Sequence, residues 1–272
     1  MSDVVTLTLR ARPEQPLDVE GLTPDSCAAL SEQEIASLPV WTGGRHAALG
    51  DFFSVRGGRA AQVRVVGDLA GVHGLGAGMG AGELTIDGPA GHRVGAGMKG
   101  GVVVVQGRVG DDAGLAMAGG TLRVHGDAGH RLGAALPGAS RGMTGGEIIV
   151  AGRVADDAAA RVRRGLVVVG GATGAFAGRA MIAGTLVVFG RVGPAPAEGN
   201  KRGSLLCLGG VSVPETYRLA CTYEPPFVRV LMTYLARRHG LAIDPQARDG
   251  RYRRYCGDAA GPAKGEILEW VQ

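Results

Sequence analysis

Gly95-Ala96-Gly97-Met98-Lys99-Gly100 is a literal G-x-G-x-x-G. In dinucleotide-binding units such glycines let the backbone approach a pyrophosphate. That chemistry needs a strand before the loop, a helix after it, and an acidic residue about 20 positions on. Here the strand-like GVVVVQG follows the loop and no helix does. Near-matches, GAGMGAG and GLAMAGG, lie 19 residues before and after it. Three cofactor loops in one small chain are implausible, so these glycines read as corners of a repeating unit.

The other reactive groups are scattered. GNKRGS at 199–204 has the composition of a phosphate-binding turn but lacks the ordered G-K-[ST] and a following helix. Cys27, Cys207, Cys221 and Cys256 form no C-x-x-C pair, and no histidine stands at metal-ligand spacing from them. They read as free thiols of a reducing compartment. No G-x-S-x-G or H-E-x-x-H occurs, and no histidine is placed to activate Cys256. The expectation is no catalytic residue, no metal site and no cofactor held on this chain.

Composition narrows the class. Of 272 residues, 49 are glycine and only 4% are aromatic, so the core must be small and branched aliphatics on a turn-rich backbone. Net charge is +4, and Lys99, Lys201 and Lys264 are the only lysines. No basic run interleaves with aromatics, which argues against nucleic acid. No apolar run reaches membrane-spanning length, and MSDVVTLTLR lacks a basic then apolar leader pattern. A cytoplasmic chain with no membrane association is expected.

From about residue 67 the chain repeats. The glycines closing each apolar run are Gly88, Gly107, Gly126, Gly152, Gly171, Gly190 and Gly209, at gaps of 19, 19, 26, 19, 19 and 19. The long gap holds a seven-residue insertion within AALPGASRGMTGG. The runs GELTIDG, GVVVVQG, GTLRVHG, GEIIVAG, GLVVVGG, GTLVVFG and GSLLCLG are β-branched segments between glycines, hence strands. Nineteen residues are too few for a βαβ crossover, so the chain must wind once per unit. At ~3.3 Å per residue one turn has a perimeter of ~60 Å, and seven stack to roughly 34 Å. The reading is an all-β, right-handed parallel β-helix of about seven coils.

Two columns follow from the period. Met79, Met98, Met117, Met143 and Met181 recur at one position and are predicted to stack in the core. His92-Arg93, Asp111-Asp112, His130-Arg131 and Asp156-Asp157 alternate in sign along another. They are predicted to form a solvated ion ladder that fixes register rather than a catalytic site.

The flanks differ. Residues 1–62 read as a mixed α/β N-terminal cap, with a strand in VVTLTLR and a capping box of Ser31 and Glu34 opening a short helix. Residues 63–212 form the β-helix. Residues 213–272 form a helical cap and tail. In PPFVRVLMTYLARRHG the residues Phe227, Val230, Leu231, Tyr234 and Leu235 are expected on one face of an amphipathic helix stopped by Gly240, a face that covers the far end or, as the alternative, binds a partner.

GHRVGAGMKGGVVVVQG, GRVGDDAGLAMAGGTLRVHG and GAFAGRAMIAGTLVVFG resemble the β-helical domain of the glutamate synthase large subunit. The lead-in LPVW…LGDFF, the interrupted LPGASRGMTGGEIIVAG, AGRAMIAGTLVVFGRVG and the late KRGSLL make the chain similar, over nearly its whole length, to the formylmethanofuran dehydrogenase C-subunit family. The resemblance implies a non-catalytic scaffold within a multi-subunit, hetero-oligomeric complex. In its bacterial branch a formyltransferase/hydrolase complex moves a formyl group from tetrahydromethanopterin to a methanofuran-like carrier and hydrolyses it to formate. The arginine-rich composition favours that branch.

The implied partners are amidohydrolase-like, formyltransferase and other subunits. The implied carrier is polyglutamylated and handled by the complex. A polyanion would favour exposed cations, and the candidates are Arg131, Arg141, Arg153, Arg163, Arg164, Lys201 and Arg202. The alternatives are the C-subunit of a molybdenum or tungsten formylmethanofuran dehydrogenase, and a linker domain of the glutamate synthase type. A carbohydrate-active β-helix enzyme fits poorly, because it needs aromatic sugar platforms.

Overall fold

The computed structural model describes residues 4–262 and 264–271. The N-terminal region holds β1 (Val5–Leu9), β2 (Leu17–Asp18), α1 (Pro24–Cys27), α2 (Glu32–Ala36), the hairpin β3 (Pro39–Thr42) and β4 (Arg45–Ala48), α3 (Leu49–Phe52) and β5 (Phe53–Arg56). The repeats supply β6 (Gln62–Val66), β7 (Val72–His73), β8 (Glu83–Asp87), β9 (Val102–Val105), β10 (Thr121–Val124), β11 (Glu147–Val150), β12 (Leu166–Val169), β13 (Thr185–Val188) and β14 (Ser204–Cys207). The C-terminal region holds β15 (Arg218–Tyr223), α4 (Pro226–His239), α5 (Pro245–Asp249), β16 (Tyr252–Gly257) and β17 (Gly265–Trp270).

The protein is mostly β, built on one 13-stranded sheet in the order β15-β16-β17-β14-β13-β12-β11-β10-β9-β8-β6-β1-β5. From β6 to β14 every pairing is parallel and in register, with Leu84 opposite Val103, Val103 opposite Leu122 and Leu122 opposite Ile148. A second ladder of parallel bridges joins Leu69, Ala90, Val109, Ala128, Val154 and Thr173. The insertion is absorbed between β10 and β11 without a register slip.

Side chains alternate along each strand. The second and fourth positions, from Leu84 and Ile86 through Leu205 and Cys207, are buried in one continuous core. Each such aliphatic side chain contributes roughly 1.5–3 kcal/mol by leaving water. All five methionines of the predicted column are fully buried. Their methyls fill the space a Cβ would take in the next unit. A Cβ at Gly101 would lie 2.5 Å from Met79 Cε, at Gly120 2.7 Å from Met98 Cε, and at Gly165 2.7 Å from Met143 Cε. Where Val162 replaces methionine, its Cγ1 takes the same role against Gly184, at 2.9 Å.

The capping box forms as expected, with Ser31 Oγ accepting from Glu34 N–H and Glu34 Oε2 accepting from Ser31 N–H. Helix α4 also forms and ends at Gly240 with φ 67°. Its expected stripe is corrected. The buried residues are Val228, Met232, Leu235 and His239, whereas Phe227, Val230 and Tyr234 face outward.

The helix covers the sheet's flank, not its far end. Outward third positions are Thr85, Val104 and Arg123 in β8–β10, partly exposed. They become Ile149, Val168, Val187 and Leu206 in β11–β14, and these pack under α4. The far end is continued instead by β17, GEILEW, which pairs in parallel with β14 as a further in-register strand. Ser204 stands opposite Glu266, 62 residues on. The antiparallel β16 and β15 follow it, so the segment read as a tail is sheet.

Candidate functional site

The G-x-G-x-x-G loop is a corner with no amide to offer a phosphate. Gly95 and Gly97 N–H donate to Leu75 O and Leu115 O in the units on either side, at 2.9 and 2.7 Å. Lys99 and Gly100 N–H both donate to Met79 O, at 2.8 and 3.2 Å. Ala96 and Met98 close turns on Arg93 O and Gly95 O. All six amides are satisfied, and an anion cradle requires free ones. The GNKRGS turn is closed likewise. Buried Asn200 accepts from Gly203 N–H and donates to Gly203 O, both at 2.8 Å.

The His/Asp column is held differently from the expected ion ladder. His73 Nδ1 accepts from His92 N–H, His92 Nδ1 from Asp111 N–H, and Asp111 Oδ1 from His130 N–H, each at 2.9 Å. Asp156 Oδ1 accepts from Ala175 N–H at 2.7 Å. Histidine and aspartate are interchangeable here because each places an acceptor at the same reach. Burial and the neighbouring His92 hold the His73 imidazole below its ordinary pKa, in the neutral form an Nδ1 acceptor requires.

The next column is left-handed throughout, with Arg93, Asp112, Arg131 and Asp157 at φ near 60°. Arg131 grips Asp112 through Nε and Nη2, both at 2.7 Å. Arg93 instead reaches back to Asp18, and Asp157 pairs with Arg179 at 2.7 Å. Over the two columns the alternation of sign brings partners within ion-pair distance at two steps, Arg131 with Asp112 and, at 3.6 Å, His130 Nδ1 with Asp156 Oδ2.

The seven candidate carrier contacts are all exposed but do not converge. Arg131 is committed to Asp112. With Arg161, Arg179, Asp157 and the insertion residues Leu136 and Pro137, it lines a cleft of about 260 Å³. Arg141 lies at the end of that insertion, and Arg153 follows β11 at the opposite end of the strand. Arg163-Arg164 and Lys201-Arg202 occupy equivalent turns before β12 and β14, two strand spacings, roughly 10 Å, apart. Apart from Arg131, none of the seven forms an ion pair among the described residues.

One cluster escaped the sequence reading. His239, with its side chain 2% exposed, bridges two strands. Its Nε2 lies 3.1 Å from Glu147 Oε2, and Arg123 Nη2 lies 3.0 Å from its Nδ1. Tyr234 O–H donates to Glu147 Oε1 at 2.5 Å. Arg123 can only donate, so Nδ1 accepts and Nε2 carries the proton. Burial holds His239 below its ordinary pKa; Glu147 opposes this and Arg123 reinforces it. The cluster is an Arg–His–Glu–Tyr clamp that ties α4 to β10 and β11. In the sequence His239 stands beside Arg237 and Arg238 in the last helical turn, where any cation is favoured and nothing marks it out. The available signal was the outward column changing from Arg123 to Ile149.

Among the described residues no three His, Cys, Asp or Glu side chains form a metal-holding group, and no helix is long and apolar enough to cross a membrane. The four cysteines are unpaired.

No family model matches the chain. A stretch of 96 residues, 34% of this chain, is 36% identical to the C-subunit of molybdenum-containing formylmethanofuran dehydrogenase 1 from Methanosarcina barkeri, covering 32% of that protein. A 93-residue stretch, 32% of this chain, is 34% identical to the C-subunit of tungsten-containing formylmethanofuran dehydrogenase 2 from Methanothermobacter thermautotrophicus, covering 34% of it. The match thus spans about a third of the length of these curated relatives. A solved chain is similar throughout: 98% of this chain and 100% of that one superpose with a TM-score of 0.90 at 34% identity. It comes from the X-ray structure of the formyltransferase/hydrolase complex of Methylorubrum extorquens in complex with methylofuran. A relative of this identity, covered end to end, together with curated relatives that are all C-subunits, shows that the chain belongs to the formylmethanofuran dehydrogenase C-subunit family.

Proposed function

We propose that this chain is the non-catalytic structural subunit of a cytoplasmic formyltransferase/hydrolase complex of one-carbon metabolism. The complex would pass a formyl group from tetrahydromethanopterin to a methanofuran-like carrier and hydrolyse it to formate. The observation that carries the reading is the end-to-end match to a chain of the Methylorubrum extorquens complex. The dehydrogenase relatives match over a third of their length at similar identity, so extent rather than identity favours the hydrolase branch.

The body, 63–212, is a right-handed parallel β-helix of about seven coils, with 1–62 and 213–272 as its caps. The two parallel ladders and the enclosed methionine column support that description. A stiff rod of this kind suits holding two active sites at fixed separation. The polyglutamylated carrier would meet it, if anywhere on this chain, along Arg163, Arg164, Lys201 and Arg202, whose charges no carboxylate among the described residues neutralises.

Co-expression with amidohydrolase-like and formyltransferase subunits tests the assignment. The expected result is one complex whose formyl transfer is coupled to hydrolysis only when this chain is present. Formyl hydrolysis by the isolated chain, or full coupling without it, overturns the reading.

A further inference from the structure

We propose that the outer face of α4 docks a separate protein chain that presents an apolar hollow bordered by carboxylates. This rests on the complex-subunit reading and names the chemistry of one contact in it. The inner face of α4 is fully used, since Val228, Met232 and Leu235 pack on Ile149, Val168, Val187 and Leu206. The outer face is not. Phe227, Val230 and Tyr234, at i, i+3 and i+7, are 40%, 69% and 39% exposed and form one stripe.

The chain has only five phenylalanines and five tyrosines, yet two of these rings stand in this stripe. Aromatic side chains are enriched at interfaces because they bury much area for few rotatable bonds. The Tyr234 ring is already oriented by its hydrogen bond to Glu147, which lowers the ordering cost of docking.

Charge selects the occupant. Helix α4 carries Arg229, Arg237 and Arg238 and no acidic residue. Arg229 is paired with Asp249 at 2.8 Å, while Arg237 and Arg238 extend the stripe and form no ion pair among the described residues. Two copies of this chain meeting through α4 would oppose arginines with arginines. A partner with carboxylates beside an apolar hollow satisfies both parts of the face.

The test uses full-length chain co-expressed with the formyltransferase and amidohydrolase-like subunits, read by size-exclusion chromatography and native mass spectrometry. Val230→Glu is expected to weaken incorporation at least about tenfold. The paired R237E and R238E substitutions should weaken it and flatten its salt dependence. Circular dichroism and the melting temperature check that each variant is folded. A second arm, Val230→Ala, removes apolar area without adding charge and should weaken incorporation less. Equal incorporation of wild type and folded V230E overturns this inference alone. Wild type that takes up no subunit overturns the complex reading and this inference with it. A homodimer of the isolated chain that V230E dissolves assigns the face to self-contact and also overturns it.

Discussion

His239 Nε2 lies 3.1 Å from Glu147 Oε2, joining the last turn of α4 to the first residue of β11. Arg123, Tyr234 and Arg238 are the other charged or titratable groups facing this imidazole. Replacing His239 with alanine leaves Arg123 and Glu147 facing a void. It should cost about 1.5–3 kcal/mol, the range for hydrogen bonds to charged groups. Trp270 packs in the same apolar cluster as α4, so its fluorescence during urea unfolding reads the loss.

The clamp also sets a pH dependence. The folded pKa of His239 lies below its unfolded value of about 6.5, so the fold holds the neutral ring. That stability is present above about pH 6.5 and is lost as pH falls through the lower folded value. Protonation would also put a donor at Nδ1 against Arg123. His73 is shifted in the same direction, so a comparison isolates the clamp. H239N should lose less stability than wild type between about pH 7.5 and pH 5, measured as the change in urea midpoint.

The acceptor column makes a prediction that charge alternation does not. Asp111 Oδ1 accepts from His130 N–H. Asp111→Asn keeps an acceptor and should change stability by less than about 0.5 kcal/mol, whereas Asp111→Ala should cost about 1–2 kcal/mol. Charge should matter in the neighbouring column instead. A double-mutant cycle on Asp112 and Arg131 is expected to give a coupling near 0.2–1 kcal/mol. No such coupling should link Arg93 to Asp112, because Arg93 pairs with Asp18.

These differences mark how far the sequence could be read. The period, strand positions, methionine column and α4 boundaries were legible because each rests on a local pattern repeated several times. The rotation of α4 was not. A helix with apolar residues on more than one side can bury either stripe, and the outward-facing Ile149, Val168, Val187 and Leu206 decided which. The placement of GEILEW was hidden by the 62 positions that separate Glu266 from its partner Ser204, although Gly265-Glu266-Ile267 repeats Gly146-Glu147-Ile148. The His239 clamp joins residues 92 positions apart, a relation no local spacing encodes.

The methionine–glycine interlock predicts an asymmetric pair of mutants. Gly120 sits at φ 81°, and a Cβ there would lie 2.7 Å from both Met98 Cε and Gly101 O. Gly120→Ala should therefore cost more than about 2 kcal/mol, from backbone strain and overpacking together. Met98→Ala should cost about 2–5 kcal/mol through the cavity it leaves. Combining them should rescue only part of the loss. Removing the thioether clears one contact, but the carbonyl contact and the positive φ remain. Full additivity in chemical denaturation would show that the two residues do not share this space.

Mutation distinguishes the proposed carrier contact from a structural charge. Arg163, Arg164, Lys201 and Arg202 lie on equivalent turns two strand spacings apart, with Ile182 and Ala183 between them. A polyglutamate tail has carboxylates along its length, so it could meet both pairs at once. Exposed charges of this kind act within a Debye length of about 10 Å at 0.1 M salt. Changing all four to glutamine should slow formyl transfer between the two sites of the assembled complex several-fold at low salt. The slowing should shrink as salt rises, since salt already screens the wild type. Arg131→Gln serves as the contrast. Its guanidinium is held by Asp112, so its loss should lower stability slightly and leave transfer unchanged. Transfer that is indifferent to the four-fold neutralisation at every salt concentration would remove the carrier from this face.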